Sequence, residues 1–372
     1  MYPLLFLPIY KERVWGGRKM ERFGRMTPFD HTGESWDISM RTDEMSVVSN
    51  GVYAGQRFCD VVNAEGGRAA WLGSNFAFGD FPLLYKIIDA NDNLSVQVHP
   101  DDSQALELEG PACEKTASPQ NATKADTKPR GKNEMWYVLD APQNSRLVIG
   151  LKPGTDKPAF AEAITQNRVE DLLGYVPVKR GDIINIPAGT LHAITRGVVV
   201  AEIQQNSDIT YRVYDYGRLG LDGKPRQLHV EKSLKVLSAK PILNTPTVGV
   251  TVGQQTYYIA NSHFCCIGYD LKPGHDIAEK SDPLKFYVFT CVDGHVTVES
   301  ANRAVELQTS QSVFIPASMG EYKLCGCGYL LKSFVPHIAN DFIAPLLKSG
   351  HNKDVLKNCS LPIDYGRRGD LI

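Results

Sequence analysis

A hydrophobic strand, a turn and a second strand ending in Ile-Pro-Ala occur twice in this chain, and that recurrence limits its fold more than any other feature. The first copy runs through WYVLDA (136–141) and GDIINIPAGTLHAI (181–194). The second runs through FYVFTCVDG (286–294) and QSVFIPASMGEYKL (311–324). Other short runs rich in Val, Ile, Tyr and Phe surround them, among them LSVQVH (94–99), SRLVIGL (145–151), VVVAEIQQ (198–205) and FCCIGYDL (264–271), each broken off by Gly, Pro or Asp. Such punctuation predicts antiparallel strands closed into barrels or sandwiches. At 372 residues the chain exceeds one ordinary core. Two related β-barrel units, 1–240 and 241–372, are the simplest account, joined near the proline-rich SAKPILNTPT (238–247).

Helical periodicity is confined to a few places, over 156–173, over 227–237 and from about Asp341. Residues 105–131 carry no hydrophobic period and read as a loop, either a lid or a surface insertion. The ending DYGRRGDLI (364–372) has no functional reading.

Charge excludes some function classes. Forty basic residues against 42 acidic ones leave a net charge of -2, which argues against a nucleic-acid or membrane-surface partner but allows a local basic pocket. No apolar run reaches the roughly 20 residues that a bilayer span needs. MYPLLFLPIY at the start lacks the basic and small-residue flanks of a signal peptide. The eight cysteines form no CxxC pair and are expected to be reduced core residues of a cytoplasmic protein.

One constellation carries chemistry. Gln97 and His99 lie two apart in a strand, so their side chains share a face. Glu134 opens the next strong strand, and His192 follows the tight turn Pro-Ala-Gly-Thr. Two imidazoles and a carboxylate suit a divalent transition metal at an open site, with Gln97 as a further neutral oxygen donor. A single histidine in a strand is usually a core or surface residue; the joint pattern is what points to a metal. The repeat supplies an internal control, because aligning the two copies puts Leu284 where Glu134 stands and Glu321 where His192 stands. The second unit is therefore expected to bind no metal there, with His275 and His295 structural or exposed. Beyond the first unit's strands, Glu202 to Arg218 crowds polar groups into a segment that ought to continue the barrel. Arg212 there can pair with a phosphate or stabilise developing negative charge, and Arg218 likewise; an exposed Arg and Tyr face is the plain alternative.

These residues resemble a family, the type I phosphomannose isomerases of the cupin superfamily. The resemblance rests on GESWDIS (33–39), FPLLYKIIDA (81–90), LSVQVHPDD (94–102), GKNEMWYVLDA (131–141), IPAGTLHAI (186–194) and AEIQQNSDITYRVYDYGR (201–218). It implies two cupin-type jelly rolls, the second degenerate, and a sugar-phosphate substrate, with mannose 6-phosphate and fructose 6-phosphate interconverted on one zinc ion. By the same resemblance Gln97, His99, Glu134 and His192 match zinc ligands, Arg212 the active-site arginine, Lys132 and Glu202 pocket residues, and Arg218 a position suited to the phosphate. Where the family often has Thr, this chain has Asn133. Isomerisation through an enediolate needs a proton carrier, and Lys132 with a lowered pKa, Glu202 or a water on the metal all qualify. Two His and one carboxylate also suit an iron-dependent cupin dioxygenase, and a non-catalytic sugar-phosphate-binding cupin is a third reading.

Overall fold

Side-chain alternation along the strands sorts one of the two compact units into an inner and an outer layer. In the computed structural model, which describes residues 1–64, 66–116, 128–238 and 246–361, this unit comprises 10–35 and 86–246. Val96 and Val98 of the strand Val96–Val98 face one way, packing with Val148, Tyr211 and Val213 beneath Phe160 of the helix Lys157–Thr165 and Val236 of the helix Val230–Val236. Ile149, Trp136, Val138, Ile184 and Ile186 belong to a second cluster on the opposite side. A period of two then requires Gln97, between the two valines, and Arg212, between Tyr211 and Val213, to face inward. Burial of each large apolar side chain contributes about 1.5–3 kcal/mol, so a one-residue slip of these strands would forfeit several such terms at once.

Two open sheets build the layers. One has the order Ile183–Ile186, Glu134–Asp140, Val199–Gln205, Leu83–Asp89, Thr32–Ile38 and Ile9–Gly17. The other has the order Tyr211–Tyr214, Val96–Val98, His192–Ala193, Arg146–Leu151 and Leu173–Pro177. In the second sheet Gln97 opposes His192 on one side and Arg212 on the other. The three residues form one cross-strand row.

The remaining unit comprises 1–9, 36–85 and 247–372. An eight-stranded sheet dominates it, with Tyr287–Ser300 paired to both Ser312–Ile315 and Glu321–Phe334. The expected boundary at residue 240 does not describe these units, because early segments pack with the late ones. Leu4 N donates to Phe314 O, Ala317 N donates to Trp71 O, and Phe58, Phe81, Phe286 and Phe314 form one aromatic cluster. The join at 239–245 and the ending 364–372 lie outside the described residues.

The fold is mainly β, as expected, and the helices near 157, 230 and 344 stand where periodicity placed them. Residues 105–116 correct the loop reading. They belong to the helix Asp102–Thr116, while 117–127 lie outside the described residues. Its start is a capping box: Gln104 N donates to Asp101 Oδ1 at 2.8 Å, and Asp101 N donates to Gln104 Oε1 at 3.0 Å. Among the described side chains, seven cysteines are free thiols, four of them buried.

Register also corrects the alignment of the repeats. Ile186 opposes Glu134 in one unit, whereas Ile315 opposes Tyr287 in the other. Tyr287 therefore occupies the place of Glu134, and Leu284, three residues earlier, is 49% exposed. Matching the tyrosines by sequence shifted the comparison by three residues, since hydrophobic strands look alike at several offsets. His275 and His295 are exposed.

Candidate metal centre and active site

His99, Glu134 and His192 offer donor atoms that all lie within 4.8 Å of one another, and each residue is at most 1% exposed. His99 Nε2 is 3.5 Å from Glu134 Oε2, and His192 Nε2 is 3.2 Å from Glu134 Oε1. A tetrahedral shell with bonds of about 2.0–2.1 Å has edges of roughly 3.3 Å, so these separations suit a zinc-sized ion. The imidazoles are oriented from behind. His99 Nδ1 is 2.9 Å from Ile209 O and His192 Nδ1 is 2.8 Å from Thr190 O; a carbonyl only accepts, so each Nδ1 carries the proton and each Nε2 presents a lone pair to the cluster. His99 Nε2 and both Glu134 oxygens make no hydrogen bond despite complete burial. Lys132 Nζ sits 2.8 Å from Glu134 Oε2 as an ion pair. Buried acceptors gathered about one point without hydrogen bonds fit a metal cation.

Gln97 completes the row beside His192, with its amide nitrogen 3.4 Å from His192 Nε2. Exchanging the amide ends would present the oxygen instead, and the two forms are nearly the same shape. The turn before His192 needs Gly189, whose φ is +83° and whose missing Cβ leaves room for Val236 O.

A cavity of about 570 Å³ opens next to the cluster, and Gln97, Lys132, Trp136, Glu202 and Arg212 line it. Seven of the eight residues singled out in the sequence are thus brought together, three as the buried ligands and Gln97, Lys132, Glu202 and Arg212 in the space beside them. Arg218 is not. It does not line the cavity, and its guanidinium is taken up by Asp215 at 2.7 Å and Asp92 at 3.1 Å.

Comparison with known proteins decides the family. Residues 4–132 match the family model described as phosphomannose isomerase type I, catalytic domain, and residues 254–335 match the one described as mannose-6-phosphate isomerase, cupin domain. The chain is 39% identical over 326 residues to a mannose-6-phosphate isomerase of Streptococcus mutans, covering 87% of this chain and 95% of that protein. It is 32% identical over 332 residues to the mannose-6-phosphate isomerase ManA of Bacillus subtilis, covering 87% and 96%. The chain belongs to the type I phosphomannose isomerase family. A crystal structure of the mannose 6-phosphate isomerase from Bacillus subtilis superposes with a TM-score of 0.76 at 29% identity, covering 90% of this chain and 99% of that one. A mutant phosphomannose isomerase from Salmonella typhimurium shares the fold, with a TM-score of 0.73 at 16% identity, covering 90% and 100%.

Protonation in this isomerase follows from burial and charge. Burial pushes the His99 imidazole down to about 3, with the Lys132 charge acting the same way, and burial lowers His192 as well. Burial opposes ionisation of Glu134, yet Lys132 and the flanking imidazoles hold its carboxyl well below the usual range. Neutral imidazoles beside a carboxylate are the forms a metal requires. The expectation of a lowered Lys132 fails for the metal-free cluster. Burial works downward, but Glu134 and Glu202 outweigh it and raise the ammonium above its ordinary value. Glu202 behaves oppositely: burial and the Glu134 charge raise its carboxyl, while Lys132, Lys86 and the Trp136 indole only partly offset them.

Several residues of this enzyme were not found by sequence reasoning. Glu202 Oε2 accepts from Trp136 Nε1 at 2.8 Å, and its other oxygen lies 3.8 Å from Lys86 Nζ and 3.9 Å from Lys132 Nζ. Lys86 Nζ is 3.6 Å from Glu34 Oε2, and Arg13 Nε donates to Glu34 Oε1 at 2.8 Å. Alternating charges thus run along the cavity from Arg13 to Glu134. Glu34 and Lys86 sit inside the quoted motifs 33–39 and 81–90, where a buried charge in an apolar run was the available signal. Arg226 and Asp208 also face the cavity. Arg226 Nε donates to Asp215 Oδ2 at 2.7 Å, which makes it the cavity-lining partner of the carboxylate that Arg218 also holds.

Proposed function

We propose that this enzyme interconverts D-mannose 6-phosphate and D-fructose 6-phosphate on a zinc ion held by His99, Glu134 and His192 with Gln97, through a cis-enediolate. The observation that carries the reading is the cluster of His99, Glu134 and His192, whose donor atoms lie within 4.8 Å of one another, beside a cavity whose wall alternates Lys132, Glu202, Lys86 and Glu34. Zinc, once bound, supplies Lewis-acid polarisation of the substrate's carbonyl and neighbouring hydroxyl.

The chain's own residues supply the rest. Glu202 is the proton carrier in this reading. Its carboxyl is raised by burial, one of its oxygens is anchored by Trp136, and the other makes no hydrogen bond. It takes the proton from the carbon next to the carbonyl and returns it to the adjacent carbon on the same face of the enediolate. Lys132 stays charged and offsets negative charge as it develops. Arg212, facing inward in the row with Gln97 and His192, adds a planar cation to the same wall. Arg226 replaces Arg218 as the cation for the phosphate, because it lines the cavity and Arg218 does not. The catalytic part is then the unit of 10–35 and 86–246. A charged sugar phosphate does not cross membranes unaided, so the reading places the enzyme in the cytoplasm.

The test is a coupled isomerase assay on metal-stripped protein, with zinc, ferrous iron or nothing added. Turnover restored by zinc and abolished by chelator is expected. No turnover with zinc, or oxygen consumption with iron, would sink the reading.

A further inference from the structure

The polar run Gln204-Gln205-Asn206-Ser207-Asp208 interrupts what would otherwise be an apolar strand end, and metal ligation does not account for it. Gln205 is 5% exposed and faces Asn133, the residue between Lys132 and Glu134. The two exchange a closed set of hydrogen bonds. Asn133 N and Nδ2 both donate to Gln205 Oε1, at 2.9 and 2.7 Å, and Gln205 N donates to Asn133 O at 3.0 Å. From this pair, bonds leave in three directions. Asn133 Oδ1 accepts from Ala188 N at 3.0 Å, in the turn that ends at Thr190, whose carbonyl orients His192. Gln205 Nε2 donates to Asp102 Oδ1 at 3.1 Å, and the same oxygen accepts from Gly131 N at 2.8 Å. That approach is possible because Gly131 has no Cβ, which would lie 2.4 Å from the backbone of Asp101. Two residues after Gln205, Ser207 Oγ donates to Arg130 O at 2.7 Å and accepts from Ile209 N at 3.3 Å, and Ile209 O orients His99.

We infer that the Asn133–Gln205 amide pair is the positioning hub of the metal centre, holding the backbone segments that aim His99, Glu134 and His192 in one hydrogen-bonded frame. Neither side chain touches the ligand atoms. Each acts through the carbonyls and the strand end that orient them. Removing such outer support lowers metal affinity about 10–100-fold in metal sites generally, because the ligands must then be ordered at the moment of binding. The inference rests on the metal reading above.

The experiment measures zinc Kd by competition with a chromogenic chelator on metal-stripped wild type, Asn133→Leu, Gln205→Leu and Phe160→Leu, with the metal-free melting temperature of each. Phe160 packs on the outer face of the same unit, so its truncation lowers stability without touching the hub. The expected result is a Kd weakened about 10–100-fold in the two hub variants and within about twofold of wild type in Phe160→Leu at a matched loss of melting temperature. Should a leucine variant not fold, Asn133→Thr keeps a hydroxyl at the site, and its Kd should lie between wild type and that loss. Hub variants with wild-type Kd overturn the inference, and so does a Kd that follows melting temperature in all variants alike. A wild type that takes up no zinc removes the metal reading itself, a result distinct from either.

Discussion

Lys132 Nζ lies 2.8 Å from Glu134 Oε2, so the carboxylate that faces the two histidines already has a cation beside it. An ion bound between His99, Glu134 and His192 has to share that carboxylate with the ammonium. Lys132 is therefore not needed to hold the ion. In the variant Lys132→Met, zinc affinity is expected to stay at or above wild type while kcat falls by about 10²–10³ from lost charge stabilisation. Glu134→Gln should do the reverse, weakening zinc by more than about 100-fold, beyond the usual cost of losing an outer partner. Chelator competition alongside initial rates separates the two; loss of zinc in Lys132→Met would contradict the division of roles.

Acid should destabilise the metal-free protein in a definite window. His99 is held neutral down to about 3, whereas an unfolded chain protonates it near 6.5. Between those values the unfolded state binds the extra proton, so stability falls as pH drops from about 6.5 toward 3 and is fully present above. His192 is lowered as well and adds in the same direction. Thermal melts of stripped protein between pH 7.5 and 4 should show this fall, with a shallower slope in His99→Gln.

The arginines make a contrast that one assay can read. Arg226→Ala is expected to raise KM for the sugar phosphate by about tenfold or more, because charge-assisted bonds contribute about 1.5–3 kcal/mol. Arg218→Ala, which removes a guanidinium turned toward Asp215 and Asp92 and absent from the cavity wall, should change KM by less than about threefold. Equal effects in both would return the phosphate to Arg218.

Trp136→Phe removes the indole N–H that holds Glu202 Oε2. That bond favours the ionised carboxylate, so its loss should raise the Glu202 pKa further and move the acid limb of kcat to higher pH. An unmoved limb in an otherwise active Trp136→Phe enzyme would remove Glu202 from the role of proton carrier.

How much of this could be read beforehand depends on whether a residue's place follows from a local rule. Gln97 and His99 are two apart on a strand, and His192 follows a turn that only glycine allows at Gly189, so each is fixed by neighbours in sequence. Arg226 reaches the cavity from a loop with no period, and Asp208 from the end of the polar run, so neither carries a local signature. The helix Asp102–Thr116 was hidden by Gly110 and Pro111, poor helix formers, although Asp101 and Gln104 already spelled its cap. Tyr287 escaped because strand register is a long-range property; Ile315 chooses it from beyond the intervening strand Ala304–Gln308, and hydrophobic composition does not.

The cross-strand row of His192, Gln97 and Arg212 acts as a ruler. Each strand gap is about 4.8 Å, so the backbones of His192 and Arg212 stand roughly 10 Å apart, a distance set by sheet hydrogen bonding. Side chains may be exchanged and the rim loops lengthened without altering it. Selection among sugar phosphates of different chain length would then be inherited from the pitch of a β-sheet, and changing it would require inserting or deleting a strand.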